Sequence, residues 1–300
     1  MTTDTTRHSA SNAAERTPSD AATDALPNLV VIGGFLCGSR DLHNLLGRHP
    51  DIWMEPKKEL NFFVDQGSGN WKKGIDWYEY RFEDGAKHAI RGESSTSYTR
   101  VPMIEGVAKR MFATIPKAKL IYIVRDPIER MLVHWVHQYC SLRENRPALE
   151  ALLEEKNNAY LACSQYHKQL EEFRMFYPDE QILVVGWEDL REDTPGTMER
   201  IFRFLGVDSK FQCNRFKKEI PEPVFRPRRR TMLDRIVRPF LGEGLMKKLR
   251  QTRHLSRLFI NRIAVPELTN EDRKTLVSRL RDDVAKLRET TGQELRQWTL

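Results

Sequence analysis

The stretch VVIGGFLCGSRDLHNLL at 30–46 constrains the fold more than any other part of the sequence. It begins as a run of β-branched apolar residues, breaks at two glycines, and continues with apolar residues at helical spacing. A strand, a glycine-containing turn and a helix in this order bring backbone N–H groups and the positive end of a helix dipole to one point. The stretch therefore predicts an α/β unit whose turn is suited to binding an anion.

Short apolar runs alternate with amphipathic stretches along the rest of the chain, which is the pattern of an α/β domain built on a parallel sheet. The predicted strands are 29–32, 89–93, 120–124 and 182–186. The predicted helices are 40–48, 103–114, 127–142, 164–176 and 194–204. For the last helix, Thr194 is the expected N-cap, Pro195 the first helical residue and Gly206 the stop signal. The last hundred residues have the pattern of helix and loop rather than strand.

The domain organisation follows from where apolar residues are scarce. Residues 1–26 contain almost no large apolar side chain, so we predict a disordered tail followed by a single domain over 27–300. No apolar run reaches eighteen residues, and the first residues lack the apolar centre of a signal peptide, which favours a cytoplasmic protein without a transmembrane segment. The four cysteines have no metal-ligand spacing, so free thiols and no metal are expected.

The charge of the chain is unevenly distributed. The formal net charge is +7, and basic residues concentrate in FRPRRR (225–230) and KKLRQTRHLSRLFINR (247–262). Such runs favour an anionic partner, which could be a nucleotide, a sulfated or acidic substrate, a membrane surface or nucleic acid. A solvated basic face explains them equally well. Nucleic acid ranks last among the partners, because the sequence has no recognisable reading helix and no interleaving of aromatic and basic residues.

The loop after the first strand matches only part of a nucleotide-binding signature. The spacing from Gly33 to Gly38 fits a Walker A loop, but Ser39 and Arg40 stand where a lysine is expected. A convincing Walker B acid is also missing, so a kinase or an NTPase is disfavoured. Because many strand–glycine–helix junctions bind nothing, the loop alone does not establish a ligand.

A second candidate residue follows the predicted strand 120–124. Arg125 stands at its carboxyl end, and Pro127 then starts a helix. Ligands bind at that edge of an open α/β sheet, where an arginine can hold a phosphate through two hydrogen bonds. The structural alternative is that Arg125 pairs with Asp126 or Glu129.

Further segments complete the pattern: EPKKELNFF at 55–63, the hydroxyl-rich RGESSTSYTR at 91–100, and GQELRQW at 292–298. With the two segments above, they resemble the sulfotransferase superfamily that uses 3′-phosphoadenosine 5′-phosphosulfate (PAPS), in particular its bacterial and heparan-type branch. The resemblance extends over about residues 26–300, with the motifs in the family's order. It implies a P-loop-like three-layer α/β fold, a central parallel sheet flanked by helices, and PAPS as co-substrate without a metal.

The resemblance also implies a donor site. Cys37, Gly38, Ser39 and Arg40 fall on the family's 5′-phosphosulfate loop. The family's loop lysine, which contacts the bridging oxygen, aligns with Leu36, and leucine supplies neither charge nor a hydrogen-bond donor. One large electrostatic contribution to the expected mechanism is therefore missing from this position.

A cationic group from elsewhere is expected to do the work of the absent lysine, and the candidates are Arg40, Lys57 and Lys58. Arg125 fills the place of the family's 3′-phosphate arginine, whereas Val133 replaces the serine eight residues on. The family also places a basic loop over the nucleotide, and the residues expected to form it here are Arg228, Arg229 and Arg230.

Glu59 aligns with the glutamate that is the general base of the heparan-type enzymes, allowing one inserted residue. Glu59 and Arg40 are the two predicted catalytic residues, and Glu93 is the alternative base. A surface ion-pair cluster with the neighbouring lysines is the structural explanation of Glu59. His134 and His137, three apart on a predicted helix, are interpreted as packing or surface residues rather than metal ligands.

Three functions remain in competition. The leading hypothesis is a PAPS-dependent sulfotransferase that acts on a hydroxyl of a carbohydrate, lipid or small-molecule acceptor. The second is a catalytically impaired relative that binds a nucleotide or an acidic partner, which Leu36 and Val133 favour. The third, a nucleic-acid-binding protein, rests on charge alone. The sequence leaves the acceptor and the oligomeric state undetermined.

Overall fold

The computed structural model describes residues 26–156, 158–220, 228–230, 232–251, 260–262 and 266–300. Five parallel strands form the central sheet in the order β2-β3-β1-β4-β5. Their bounds are β1 Leu29–Gly33, β2 Ile52–Met54, β3 Ile90–Ser94, β4 Lys119–Val124 and β5 Ile182–Gly186. The four predicted strands are confirmed, and β2 is an additional strand of three residues at one edge.

Helices connect and flank these strands. They are α1 Ser39–Leu46, α2 Ile75–Tyr80, α3 Val107–Thr114, α4 Pro127–Cys140, α5 Ala148–Leu153, α6 Ala159–Ala162, α7 Tyr166–Arg174, α8 Trp187–Glu192, α9 Thr194–Leu205, α10 Met232–Gln251 and α11 Asn270–Thr291. Short 3-10 turns occur at Trp71–Lys73, Glu83–Gly85, Thr96–Tyr98 and Asp179–Gln181.

Alternation along the strands produces the three layers. Because successive strand residues point to opposite faces, Val30 and Ile32 of β1 pack with α3, α7 and the end of α11. Leu29 and Val31 pack on the other face with α1, α8 and α9. All four are fully buried, so β1 reads as a continuous apolar run, as expected for a central parallel strand. The predicted three-layer fold is confirmed.

Local signals explain where the predicted helices begin. The N-cap of α9 is Asp193 rather than Thr194, because the Asp193 carboxylate accepts a hydrogen bond from the Gly196 N–H at 2.9 Å. Gly206 ends this helix in the left-handed conformation, at φ 80°, as predicted. Helix α3 begins at Val107, four residues later than expected, after Gly106 at φ 72°.

The carboxyl-terminal third differs from the sequence prediction in one respect. Two short strands, β6 Arg228–Arg230 and β7 Ile260–Arg262, pair antiparallel, so the expectation of helix and loop alone was wrong. Residues 1–25 lie outside the described residues, while Leu26, the last residue of the predicted tail, is buried. Among the described helices, none combines the length and apolar character needed to cross a bilayer.

Because all five strands of the sheet are parallel, the segments that follow them meet at one edge. The segment Glu55–Phe63 follows β2, Ser95–Arg100 follows β3, and Gly34–Gly38 follows β1. Arg125 follows β4 and Trp187 follows β5. Every segment that the sequence singled out before residue 200 therefore reaches the same edge.

Candidate functional site

The glycine loop lies between β1 and α1. Its Gly34 N–H donates a hydrogen bond to the Ile123 carbonyl of β4, which anchors the loop to the sheet. Gly38 has φ 83°, and a Cβ atom there would lie 1.9 Å from Cδ1 of Trp187. Only glycine satisfies both the left-handed backbone and the close approach of the indole ring. The loop is therefore shaped by a residue at the end of β5, well away in sequence.

Helix α1 presents its first turn to this loop. No side chain caps the helix, so its first N–H groups and the positive end of its dipole remain available to an anion. Ser39 is buried at the first position, and Arg40 is exposed at the second. The structure thus brings together Gly38, Ser39 and Arg40, three of the residues predicted to bind the donor.

Lys58 brings a cationic group to the start of α1. Its Nζ donates a hydrogen bond to Oγ of Ser39 at 3.0 Å, which places an ammonium group at the start of α1. Lys57 is exposed, and Leu36 lies half-buried in the loop at φ 66°. Among the three predicted replacements, Lys58 is the one with a hydrogen bond to the loop in the described structure.

The environment of Lys58 tunes its charge. Burial lowers the pKa of its ammonium group to about 8, opposed by the carboxylate of Glu59 and assisted by the charge of Arg40. Roughly nine-tenths of such a group is protonated at pH 7. Nearby His43 bonds Oγ of Ser94 at 2.9 Å, and burial lowers its pKa to about 4. The histidine is therefore neutral near pH 7, while the lysine carries a proton that is held less tightly than usual.

Glu59 is fixed by the segment that follows β3. Its Oε2 accepts hydrogen bonds from the Thr96 N–H at 2.9 Å and the Thr96 hydroxyl at 3.1 Å. Its own N–H donates to the Ser94 carbonyl, and its backbone has φ 61°. The side chain is half-buried beside Lys58, and no hydrogen bond within the described residues engages Oε1. This carboxylate is held in one orientation with an oxygen left for a proton.

Glu93, the alternative base, lies in a closed network. The hydroxyls of Tyr78 and Tyr98 each donate to Oε1 at 2.7 Å, and the Ser95 hydroxyl donates to Oε2 at 2.7 Å. Burial raises its pKa to about 6, and its exposed fraction is 1%. Three hydroxyl donors and complete enclosure give Glu93 a structural role at the end of β3.

The guanidinium of Arg125 lies over the ring of Trp187, with 4.5 Å between its Cζ and the ring centroid. Its Nε is buried and has no hydrogen-bond partner among the described residues. Asp126 instead accepts bonds from the Ile128 and Glu129 N–H groups, and Glu129 pairs with Arg273 at 3.3 Å. The alternative pairing of Arg125 with these two carboxylates is thus not seen in the described structure.

Cys37, a predicted donor contact, and Val133, which replaces the family's serine, offer no side-chain contact at this edge. Cys37 is fully buried, its Sγ lies 3.5 Å from the Tyr166 hydroxyl, and burial raises its pKa to about 11. Its side chain faces the core, which leaves only its backbone at the loop. Val133 is buried in α4 and supplies no side-chain donor.

The predicted basic lid is described only in its backbone. Arg228, Arg229 and Arg230 form β6, which pairs with β7 and lies near α4. Their side chains lie outside the described part of the chain. The prediction that they close on the nucleotide stays a prediction.

The sequence reasoning missed the carboxyl-terminal contacts of the site. Trp298 Nε1 donates to Oε2 of Glu188 at 3.1 Å, and Oε1 of Glu188 accepts from the Asp126 N–H at 2.9 Å. The Thr299 N–H and hydroxyl both donate to Oδ2 of Asp126. These bonds fasten residues 298–299 to the strand ends that carry Arg125. The motif ending in Trp298 was recognised, but a motif does not specify which residue its indole contacts.

Known proteins match this chain in sequence. The family model for the sulfotransferase domain matches residues 28–226. The chain is 30% identical over 212 residues to the heparan sulfate glucosamine 3-O-sulfotransferase 3B1 of Mus musculus, covering 66% of this chain and 52% of that protein. It is 32% identical over 155 residues to the membrane-associated sulfotransferase kil1 of Dictyostelium discoideum, covering 49% and 31%. The matches thus span 31% and 52% of the length of these relatives.

A solved structure matches the fold over nearly the whole chain. The sulfotransferase from Alicyclobacillus acidocaldarius aligns with a TM-score of 0.66 and 23% identity, covering 91% of this chain and 99% of that one. At this identity the likeness shows a shared fold.

Proposed function

Because the chain belongs to the sulfotransferase family, we propose that it transfers a sulfuryl group from PAPS to a hydroxyl of a carbohydrate, lipid or small-molecule acceptor. The observation that carries the proposal is the hydrogen bond from Lys58 to Ser39 at the start of α1. It gives the glycine loop the positive charge that Leu36 cannot provide. Family membership alone would not offset the loss of the loop lysine.

The transfer would balance as follows. The acceptor oxygen forms a bond to sulfur while the bond from sulfur to the bridging phosphate oxygen breaks. The acceptor's proton passes to Glu59, and 3′-phosphoadenosine 5′-phosphate (PAP) leaves with added negative charge on its 5′-phosphate. The transfer thus needs a base on the acceptor side of the sulfur and a cation on the side of the leaving phosphate. Glu59 and Lys58, which are adjacent in the chain, would fill these two roles.

Each end of the donor would have its own contacts. The first turn of α1 and the ammonium of Lys58 suit the 5′-phosphate, where charge develops during transfer. Arg125, oriented by the ring of Trp187, suits the 3′-phosphate. The packing of Gly38 against the same ring links the two ends.

Among the three acceptor classes, the names of the relatives favour a saccharide. The name of the 3-O-sulfotransferase of Mus musculus contains heparan sulfate glucosamine. The name of the bifunctional N-deacetylase/N-sulfotransferase 2 of Bos taurus, which is 28% identical over 207 residues, contains heparan sulfate. We extend only the saccharide class to this chain, since it spans 52% and 22% of those proteins.

Incubation with [³⁵S]PAPS and an acceptor panel tests the proposal. The panel contains a desulfated heparan oligosaccharide, an alkyl glycoside and a phenol, and labelled product is separated from donor by chromatography. Label transfer by the wild type, lost in Glu59→Gln, supports the function. Binding of PAP without transfer to any acceptor would instead favour the impaired relative, the reading that Leu36 and Val133 support. Absence of both binding and transfer would contradict the proposal.

A further inference from the structure

A group of polar side chains beside the glycine loop has no role in the donor site. Phe35, the loop residue before Leu36, lies half-buried between the segment after β3 and helix α4. Arg100, His134 and His137 contact its ring, and Nε2 of Gln138 lies 3.3 Å from Nε2 of His134. We call Phe35, Arg100, His137 and Gln138 the Arg100 subsite. Each of the three polar members has one buried nitrogen or oxygen atom without a partner among the described residues.

Arg100 is the charged member. Its Cζ lies 4.4 Å from the centroid of the Phe35 ring, and its Nε is buried without a hydrogen bond. No ion pair joins it to any residue that the structure describes. A half-buried cation of this kind is costly to leave unpaired, and burial accordingly lowers the pKa of Arg100.

Two arginines of the neighbouring segments, Arg130 and Arg146, are engaged with acceptors. Arg130, fully buried in α4, donates to the Ser164 hydroxyl at 2.6 Å and to the Tyr160 carbonyl. Arg146 pairs with Glu144 at 2.8 Å and Glu154 at 2.9 Å. Arg100 therefore differs from its neighbours in having an aromatic support but no acceptor.

The histidines next to Arg100 do not compensate its charge. The rings of His134 and His137 meet Phe35 edge-on, with centroids 5.0 and 5.4 Å away. Burial lowers the pKa of both; Arg130 and Arg100 assist at His134, whose pKa falls to about 2, and Arg143 and Arg100 assist at His137. Both imidazoles are neutral near pH 7, and Nδ1 of His137 is buried without a partner among the described residues. Because Arg143 is exposed, Arg100 is the half-buried cation of the subsite, next to neutral polar groups.

The position of this charge relates it to the reacting group. Oε2 of Glu59 accepts hydrogen bonds from Thr96, in the same segment after β3 that ends at Arg100, and Arg100 contacts Phe35 of the glycine loop. The segment that holds the proposed base therefore also carries the subsite, and the Glu59 carboxylate acts electrostatically on Arg100. An acceptor whose hydroxyl reaches Glu59 would bring its neighbouring substituents to Arg100.

From this juxtaposition we propose that Arg100 binds an anionic substituent of the acceptor, a carboxylate or a sulfate next to the hydroxyl that is sulfated. The inference rests on the proposed function and deepens it by naming a chemical feature of the acceptor. Arg100 binds the oxyanion through its planar guanidinium, supported by the face of Phe35. His137 and Gln138 contribute neutral hydrogen-bonding atoms around it.

Inorganic sulfate is a probe for this subsite that needs no knowledge of the acceptor. The full chain is saturated with PAP, which fills the phosphate contacts, and its melting temperature is measured as sulfate replaces chloride at constant ionic strength. At about ten times its dissociation constant, a bound ion shifts the unfolding equilibrium by about tenfold. We expect the wild type to gain this stabilisation, Arg100→Gln to lose it, and Arg100→Lys to keep part of it.

The matched control is Arg200→Gln. Arg200 also has a buried Nε without a described partner and a pKa lowered by burial, but it lies on α9 and bonds Gln293 at 2.7 Å. Sulfate stabilises proteins generally by exclusion from their surfaces, and that effect is common to all variants. A sulfate gain that is absent in the wild type, or equal in wild type and Arg100→Gln, would overturn the proposal.

A second arm distinguishes the acceptor's anion from the donor's own sulfuryl group. The same titration is made on protein saturated with PAPS, in which the donor's sulfuryl position is filled. Stabilisation of both complexes supports an acceptor anion, whereas stabilisation of the PAP complex alone assigns Arg100 to the donor and contradicts the inference. Failure of PAP to bind would contradict the proposed function instead, and the comparison of wild type with Arg100→Gln can then be made without nucleotide.

Discussion

Arg125 and Lys58, the two cations of the proposed donor site, are positioned in different ways. Arg125 comes directly from the end of a long, buried strand, and its guanidinium rests on Trp187. Lys58 comes from an irregular segment after a three-residue edge strand and is held by one hydrogen bond to Ser39. Position 36 of the loop is leucine, yet an ammonium group still reaches the start of α1. An anion-binding site of this kind requires a positive charge at the start of α1, and that charge need not come from the glycine loop itself.

The difference also concerns how the charges respond to their surroundings. Arginine stays protonated at any ordinary pH, so Arg125 is a constant charge. Lys58 has a pKa of about 8 because it is partly buried, so its charge depends on pH in the working range. We therefore expect Arg125 to act mainly on donor affinity, whereas Lys58, at the phosphate where charge develops, should affect both the affinity for PAP and, more strongly, the rate.

Replacing Lys58 with methionine tests the rate side and should have the largest effect. The variant keeps the apolar stem but removes the charge that would neutralise the leaving phosphate, so kcat should fall by a factor of about 10²–10³. The measurement is the rate of PAP formation from PAPS with the best acceptor. Lys57→Met is the matched control, because Lys57 is the exposed neighbour, and it should retain nearly full activity.

Replacing Arg125 with methionine tests the affinity side. Loss of charge-assisted hydrogen bonds of about 1.5–3 kcal/mol should raise KM for PAPS roughly 10- to 100-fold with a smaller change in kcat. Arg125→Lys keeps the charge without the planar fork and should lie between methionine and wild type. If kcat alone fell, the assignment of Arg125 to binding would be wrong.

The pH dependence of the reaction distinguishes the role of Lys58 from that of Arg125 without replacing either residue. Since Lys58 must carry its proton, kcat/KM for PAPS, which reports the free enzyme, should decrease as the pH rises through about 8. Lys58→Arg, which stays charged, should lack this alkaline decrease. A wild-type rate that stays level to pH 10 would contradict the role of the ammonium.

The same lowered pKa affects stability in a defined direction. Between about pH 8 and the ordinary lysine value of 10.5, the unfolded chain binds the proton of Lys58 and the folded chain does not. The contribution of Lys58 to the free energy of unfolding therefore rises with pH over this window. Denaturant titrations of the wild type and Lys58→Met at both ends of the window measure this contribution.

Replacing Trp298 with phenylalanine should have the smallest effect. It removes the hydrogen bond to Glu188, which in turn holds the Asp126 N–H next to Arg125, at a cost of about 1 kcal/mol in stability. Affinity for PAP should fall less than in Arg125→Met, and kcat should change little. Calorimetric PAP titration and denaturant unfolding measure the two effects, with Gln297→Ala, an exposed neighbour, as the control.

The sequence predicted most of the sheet because β1, β4 and β5 are apolar runs with clear boundaries. It did not predict β2, since three residues carry too little periodicity to be distinguished from a loop. Lys58 and Glu59 follow that strand. Because the strand was not predicted, the sequence did not show that these two residues lie near the glycine loop, although Lys58 was among the residues considered. The stacking of Arg125 and Gly38 on Trp187 joins residues that are far apart in sequence, and only the fold brings them together.

The orientation of side chains was the hardest property to anticipate. Cys37 and Glu93 both belong to the recognised motifs, yet one faces the core and the other is enclosed by three hydroxyls. Spacing identifies a motif but does not say which of its members face solvent. Arg100 ends the same hydroxyl-rich segment, and its lack of a partner is visible only from the packing around Phe35.

The most direct test of the central claim, that Lys58 supplies the missing charge of the loop, is calorimetric titration of PAP at pH 7. The set comprises wild type, Lys58→Met, Leu36→Lys and the double variant Leu36→Lys/Lys58→Met. We predict micromolar binding by the wild type, at least about tenfold weaker binding by Lys58→Met, and recovery in the double variant, since one charge-assisted contact is lost and regained. Equal affinity of the wild type and Lys58→Met, or binding that appears only when lysine occupies position 36, would contradict it.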